Sequence, residues 1–283
     1  MNESQKAEWL QNRKYYLGGT DIAAICGASS YKTALDVYLD KTSSTITDNI
    51  SEAMEWGVRL EEVVAAAYAE KTQVEVAIQN GPIFHPEFPF LGANIDRWVE
   101  GKKKILECKT TSYFMKDQWG EAETSQIPQG YLCQVAYYAA ICNVEEVDIA
   151  VLIGGQEFRV YTYTKNQAFE DNLIQIGCNF WTNHIEKRIP PEPTTLNNLL
   201  TLYPIAIHDS IVANEYILDI YHKLTAKKSE QSIILKEIKG YEFSIKKFMG
   251  NCDALIDKNE KLLVTWKNSS LNPNTSSRRL IIK

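Results

Sequence analysis

The stretch Gly92-Ala93-Asn94-Ile95-Asp96, followed after a short break by Ile105-Leu106-Glu107-Cys108-Lys109, decides how this chain folds. Side chains alternate faces along a strand, so Glu107 and Lys109 share one face while Leu106 and Cys108 share the other. Glu100-Gly101-Lys102 is a turn-like break between residues 90–99 and 104–110, which suits a β-hairpin. If Asp96 lies opposite on the paired strand, two carboxylates and one ammonium converge. One oxygen each from Asp96 and Glu107, with the backbone carbonyl of Cys108, would suit a hard divalent cation that keeps waters in its other positions. A lone Glu-x-Lys more often marks a solvated strand face, as the Lys102-Lys103-Lys104 run is expected to be. Its company along the chain is what sets it apart.

Working outward, residues 55–70 read as an amphipathic helix, with Leu60, Val63, Val64 and Ala67 at helical spacing. After Pro128, residues 131–142 are helical in character. Residues 147–153 form a nearly unbroken apolar run of strand length, Gly154-Gly155 signals a turn, and residues 157–163 are rich in β formers. Residues 169–187 return to helix. The pattern predicts an α/β (α+β) core, a central mixed sheet flanked by helices. The proline-rich run Ile189-Pro190-Pro191-Glu192-Pro193 breaks the last helix and divides the chain into residues 1–193 and 194–283. The second part predicts a helix over 211–239 and a hairpin whose strands flank Asp257-Lys258-Asn259-Glu260, a small helix-and-hairpin module. Residues 41–51 are polar and read as a loop.

With 283 residues, 45% of them hydrophobic and 23% charged, the chain is of ordinary globular composition, which excludes a disordered or collagen-like protein. The formal charge of -6 speaks against coating nucleic acid by bulk charge. That total is uneven: residues 1–193 hold 27 acids and 17 bases, and residues 194–283 hold 9 acids and 13 bases. No apolar run is long enough to span a bilayer, and the start lacks the basic-then-apolar order of a signal peptide, so a cytoplasmic location is expected. Six scattered cysteines without a Cys-x-x-Cys pair are expected as thiols, mostly buried as small apolar residues.

Further motifs accompany the central pair in order: Leu17-Gly18-Gly19-Thr20-Asp21, Ser30-Tyr31-Lys32-Thr33, Glu55-Trp56-Gly57, Leu60-Glu61, His85-Pro86-Glu87, Trp119-Gly120, Ile127-Pro128 and Tyr131-Leu132-Cys133-Gln134. Together with Asp96 and Glu107-Cys108-Lys109 they resemble the Asp…(Asp/Glu)-x-Lys signature of the restriction-endonuclease-like nucleases. Within that superfamily the chain is similar to the YqaJ-type viral recombinases, relatives of phage lambda exonuclease.

The resemblance implies a restriction-endonuclease-like core and a metal-dependent exodeoxyribonuclease. Such an enzyme resects duplex DNA ends, 5′→3′, to give 3′ single strands for phage-type recombination. It uses Mg²⁺, with Mn²⁺ as an alternative, and no iron–sulfur cluster. Asp96, Glu107 and the Cys108 carbonyl would hold metal and Lys109 would serve the attacking water. A helix-borne acid assists, with Glu61 favoured and Glu62 the competitor. Gln134 would orient Lys109, water or a phosphate, with Tyr138 beside it. Arg13, Thr20 and Asn94 match a 5′-phosphate pocket, and Tyr138 is grouped with them as DNA-binding. The chain departs from the family pattern where Glu62 follows the helix acid and where Ile95 and Arg97 flank Asp96. Implied partners are double-stranded DNA ends, further copies in a trimeric ring, and a single-strand annealing protein, with no membrane. An endonuclease of the same superfamily and a non-catalytic DNA-end-binding scaffold are the alternatives.

Overall fold

A computed structural model describes residues 11–44, 51–268 and 278–283. In chain order they begin with helices α1 (Gly19–Ile25), α2 (Ala34–Thr42) and α3 (Glu52–Thr72). Strands β1 (Val76–Ile78), β2 (Ile83–Phe84), β3 (Gly92–Ala93), β4 (Arg97–Val99) and β5 (Lys104–Thr111) follow. Helix α4 (Gln129–Cys142), strands β6 (Glu146–Ile153) and β7 (Glu157–Thr164), and helices α5 (Gln167–Phe180) and α6 (Leu196–Leu202) come next. The tail holds α7 (Glu215–Met249), β8 (Ala254–Ile256), β9 (Leu262–Asn268) and β10 (Arg278–Ile282). Among the described residues, no helix is long and apolar enough to cross a membrane.

The main sheet runs β1-β4-β5-β6-β7, with β5 and β6 parallel and the other pairs antiparallel. It is the mixed sheet that the sequence predicts. A parallel pair needs a crossover, and α4 supplies it between β5 and β6. Alternation along the strands builds a core on each face. Ile105, Val147, Ile149 and Val151 join residues of α1, α4 and α5, whereas Leu106 and Ala150 join Val64, Ala65 and Tyr68 of α3. Tyr68 fixes α3 lengthwise, because its hydroxyl donates to Asp148 on β6.

Val63, expected on the buried stripe of α3, is exposed, and Ala65 and Tyr68 take the core side with Val64. Lys104 is not a solvated lysine: it pairs with Glu146 at 2.7 Å and Asp148 at 3.1 Å. Of the cysteines only Cys133 is fully buried, while Cys26 and Cys252 are exposed. Lys41 and Thr42, expected in a loop, end α2, and residues 45–50 of that stretch lie outside the described residues.

The chain divides into two compact units, Met1–Ile205 and Ala206–Lys283. After the prolines, α6 packs back on the first unit, where Asn198 donates to Asp36 on α2 at 3.3 Å. Residues 194–205 carry no charged side chain, so the acidic first part and basic second part keep their balance at this division. In the second unit β10-β9-β8 form an antiparallel sheet, one strand more than the expected hairpin. Its helix runs to Met249, ten residues beyond the expected end at Lys239. Arg278 secures the sheet, donating to the carbonyls of Gly250, Cys252 and Trp266 and stacking 3.7 Å from the Trp266 ring.

Candidate active site

The site forms where β4 leaves β5. Their ladder has only two rungs, Arg97↔Leu106 and Trp98↔Ile105, so from Glu107 onward that edge of β5 is open. Asp96 stands one residue before the last rung, and its carboxylate accepts the Cys108 N–H at 2.6 Å. A strand residue turns its N–H and C=O to the same edge, so the Cys108 carbonyl faces the Asp96 side as well.

Strand alternation sends Glu107 and Lys109 toward α4. Glu107 is buried, and its Oε1 accepts from Lys109 at 2.6 Å and from Gln134 at 2.7 Å. Its Oε2 is buried without a hydrogen-bond partner. Lys109 lies 5.1 Å from the centre of the Tyr131 ring, which stacks on Trp119. Burial, the charge of Glu107 and then that of Glu61 raise the Asp96 carboxyl to about 8, against the pull of Lys109. Burial, with Glu61, also raises Glu107. Burial would lower Lys109, but Glu107 and Asp96 reverse this and hold it above the usual lysine range. The centre thus crowds acids and keeps its lysine charged.

Both candidate helix acids, Glu61 and Glu62, are held by Arg97. Its guanidinium holds Glu61 at 2.6 Å and Glu62 at 2.7 Å, and it donates to the Asp96 carbonyl at 2.7 Å. Glu61 lies inward, with its side chain 32% exposed against 75% for Glu62. Glu61 shares a helix face with Val64 and Tyr68, so the anchoring of Tyr68 on Asp148 also sets the position of Glu61. Arg97, read from the sequence only as a departure from the family pattern, is the residue that ties α3 to the Asp96 segment. Thirty-five residues separate it from Glu62, and no spacing rule could have announced the contact.

Gln134 is buried on α4, and its amide donates to Glu107 and, at 3.3 Å, to Tyr138. It therefore positions Glu107, not Lys109, the first target expected of it. Tyr138 lies behind Gln134 and is buried, so the structure supports packing for it and no surface contact with DNA. Gly19 makes room for both, since a Cβ there would come within 2.7 Å of each side chain. Gln134→Leu is expected to lower turnover by about 10–100-fold with little change in substrate affinity, because one anchor of Glu107 is lost. Steady-state rates on a linear duplex, split into kcat and KM, check this.

Arg13, Thr20 and Asn94 come together at the start of α1. The chain before that helix pairs with residues 90–92, through Leu17 N–H to the Phe90 carbonyl at 2.8 Å and Gly92 N–H to the Leu17 carbonyl at 3.0 Å. Gly92 permits this approach, because a Cβ there would stand 2.6 Å from the Tyr16 ring. Arg13 donates to the Thr20 hydroxyl at 3.5 Å, and the Asn94 amide donates to the Tyr16 hydroxyl at 2.9 Å. Beneath them lies an ion pair that sequence reasoning missed. Asp21 accepts from Lys41 at 2.8 Å with both side chains 1% exposed, and Lys41 also donates to the Arg13 carbonyl at 2.7 Å. The signal was hidden because Lys41 opens a polar stretch.

Burial would raise the Asp21 carboxyl, but Lys41, Arg13 and Lys32 bring it down to about 2 from 3.8. A carboxyl lowered on folding stabilises the fold above its unfolded value, by about 2 kcal/mol here. That contribution fades as pH falls from about 4 through about 2. Asp21→Ala is expected to cost about 3–5 kcal/mol, since it strands a buried ammonium. Denaturant melts at neutral pH read the loss.

Among the described residues no ready-made cluster of three His, Cys, Asp or Glu side chains stands in metal-holding geometry. Two cations stand among these acids: Lys109 occupies one oxygen of Glu107, and Arg97 holds Glu61. The donor set nonetheless fits a hard divalent ion. It offers only oxygen, one buried carboxylate oxygen of Glu107 lacks a partner, and burial with neighbouring carboxylates raises Asp96 and Glu107.

By architecture the first unit has a restriction-endonuclease-like fold, one it shares with solved exonuclease structures. LHK-Exo, an alkaline exonuclease from Laribacter hongkongensis, is similar at TM-score 0.51 and 17% identity, covering 65% of this chain and 94% of that one. LHK-Exo in complex with dAMP gives a TM-score of 0.52 at the same identity and coverage. The family model of the YqaJ-like viral recombinase domain matches residues 8–145, a span that holds every candidate site residue. The Bacillus subtilis (strain 168) protein YqaJ, itself uncharacterised, is 33% identical over 187 residues, or 65% of this chain. The chain spans 58% of the length of that relative.

Proposed function

We propose that this protein is a Mg²⁺-dependent exodeoxyribonuclease that resects duplex DNA ends 5′→3′, releases 5′-phosphorylated nucleotides and leaves 3′ single strands for phage-type recombination. The observation that carries this reading is the convergence of Asp96, Glu107 and Glu61 with a charged Lys109 on the open edge of β5. The match to the YqaJ-like domain model and the fold shared with exonuclease structures support it.

Asp96, Glu107 and the Cys108 carbonyl would hold the metal, with Glu61 assisting once Arg97 releases it. When bound, a divalent ion supplies an acidified water and offsets charge on the phosphate and the leaving 3′-oxygen. Lys109 is an ammonium here, so it stabilises the developing phosphorane charge and orients the water instead of removing its proton. Gln134 keeps Glu107 in place, and Tyr131 covers Lys109. Arg13 and Thr20, with Asn94 near, would grip the 5′-phosphate of the end. LHK-Exo has been crystallised with dAMP, and a nucleotide of that kind is the product expected here. The reading also carries a trimeric ring, a single-strand annealing protein as partner and a cytoplasmic site of action.

End dependence tests the reading against its endonuclease rival. With Mg²⁺, linear duplex should be degraded and a covalently closed circle left intact, and nicking of the circle would refute the exonuclease assignment. Preference for 5′-phosphorylated over 5′-hydroxyl ends should vanish in Arg13→Ala. Equal rates on both ends in the unaltered protein would remove the phosphate pocket.

A further inference from the structure

Helix α7 is 35 residues long, about 52 Å, and nearly every side chain along it is exposed. Among the described residues of its unit only Met249 and Val264 are buried, too small a core to sustain a helix of that length. Its apolar residues recur at alternating steps of three and four: Ile217, Ile220 and Leu224 in the first half, Ile234, Ile238 and Tyr241 in the second. The same steps pass through Lys227 and Gln231 and end at Ile245 and Phe248. A mean step of about 3.5 residues makes a seam that another helix covers by supercoiling. Ile233 and Phe243 stand off this seam.

We propose that α7 pairs antiparallel with α7 of a second copy of this chain. About a two-fold axis between Ser232 and Ile233, the seam meets itself. Ile217 then lies opposite Phe248 of the second copy, Ile220 opposite Ile245, and Leu224 opposite Tyr241. The polar Gln231 falls opposite Ile234, next to the axis. Lys227 already reaches Glu230 on its own helix at 2.8 Å, so its stem can lie on the seam with its charge in water.

Charges beside the seam choose the direction. Side by side in parallel, Lys223 would face Lys228 of the second copy and Glu237 would face Glu242, so each charged pair repels. Antiparallel pairing sets Lys228 beside Glu242 twice by symmetry, and Leu235 meets its own counterpart near the axis. Glu230 and Glu237 stay close on the other edge, offset in part by Lys223. Glu242 would exchange its present partner Lys246, 2.9 Å away, at the small cost typical of exposed pairs.

Sedimentation equilibrium of the full chain tests the pairing. The particle mass should be an even multiple of the protomer mass, six copies where two trimeric rings are joined through α7, and Ile220→Asp/Leu224→Asp should halve it. Lys228→Glu, which leaves the helix surface polar, should weaken association by about tenfold, and Lys228→Glu/Glu242→Lys should restore it. A monomer, an odd multiple, or a mass unmoved by the double Asp variant would overturn the proposal. So would tighter association of Lys228→Glu, the result that parallel pairing requires.

Discussion

Lys109→Ala is expected to lower nucleotide release from a linear duplex by about 1,000-fold, mostly in kcat. The ammonium sits 2.6 Å from Glu107, above the Tyr131 ring, where water is largely excluded and each charge acts strongly. The neighbouring cation Arg97 cannot take its place, because it is engaged by Glu61 and Glu62 on the α3 side. Removing Lys109 also frees the Glu107 oxygen that it occupies and takes a positive charge away from the metal position. Metal affinity should therefore hold or rise while turnover falls. Lys109→Arg would keep the charge but cannot reproduce a single compact donor in this space, so rescue should be slight. Unchanged release by Lys109→Ala would remove the assignment of this edge as a nuclease centre.

The second large effect joins lost activity to gained stability. Asp96→Asn should abolish metal-dependent release, since it removes a ligand charge, yet it should raise the melting temperature of the metal-free protein by about 2–4 °C. The Asp96 carboxyl is raised to about 8 in the fold, so the folded state holds a proton that the unfolded chain gives up near pH 4. Stability of the metal-free protein therefore falls as pH rises from about 4 to about 8. The amide of the Asp96→Asn variant does not titrate, and that part of the slope should vanish. Mg²⁺ should raise the melting temperature of the unaltered protein above pH 8 and leave Asp96→Asn unmoved. Thermal melts with and without EDTA across this range read all three effects. A loss of stability in Asp96→Asn would mark Asp96 as a structural acid.

The sheet and its two central strands were legible because Glu107-Cys108-Lys109 alternates as a strand must and a turn precedes it. Glu107 and Lys109 were legible from strand parity, whereas Asp96 stands just before β4 instead of on a strand, because the strand expected over residues 90–99 divides into β3 and β4. Contacts set by packing between layers were not legible. Arg97 reaches Glu61 and Glu62 only because the anchoring of Tyr68 on Asp148 fixes α3 lengthwise, and that register is a property of two separate elements. The Asp21–Lys41 pair was hidden because a lysine in a polar run reads as solvated until the surrounding core is known. Gln134 was found as a polar residue in an apolar helix, but its target is decided by which β5 side chain faces α4. The buried side of α3 was misjudged at Val63 because several wheel orientations bury a similar number of apolar residues. The third strand of the tail was missed because Arg278–Ile282 stands apart from the hairpin signal that precedes it.

One measurement bears most directly on the central claim, that Asp96, Glu107 and Lys109 form a metal-dependent nuclease centre. A uniformly labelled linear duplex is incubated with the protein in Mg²⁺ and in EDTA, alongside Glu107→Gln, and acid-soluble nucleotides are counted. The account predicts 5′-mononucleotides in Mg²⁺ with the unaltered protein, and none in EDTA or with Glu107→Gln. Release that persists in EDTA, or equal release by Glu107→Gln, would contradict it.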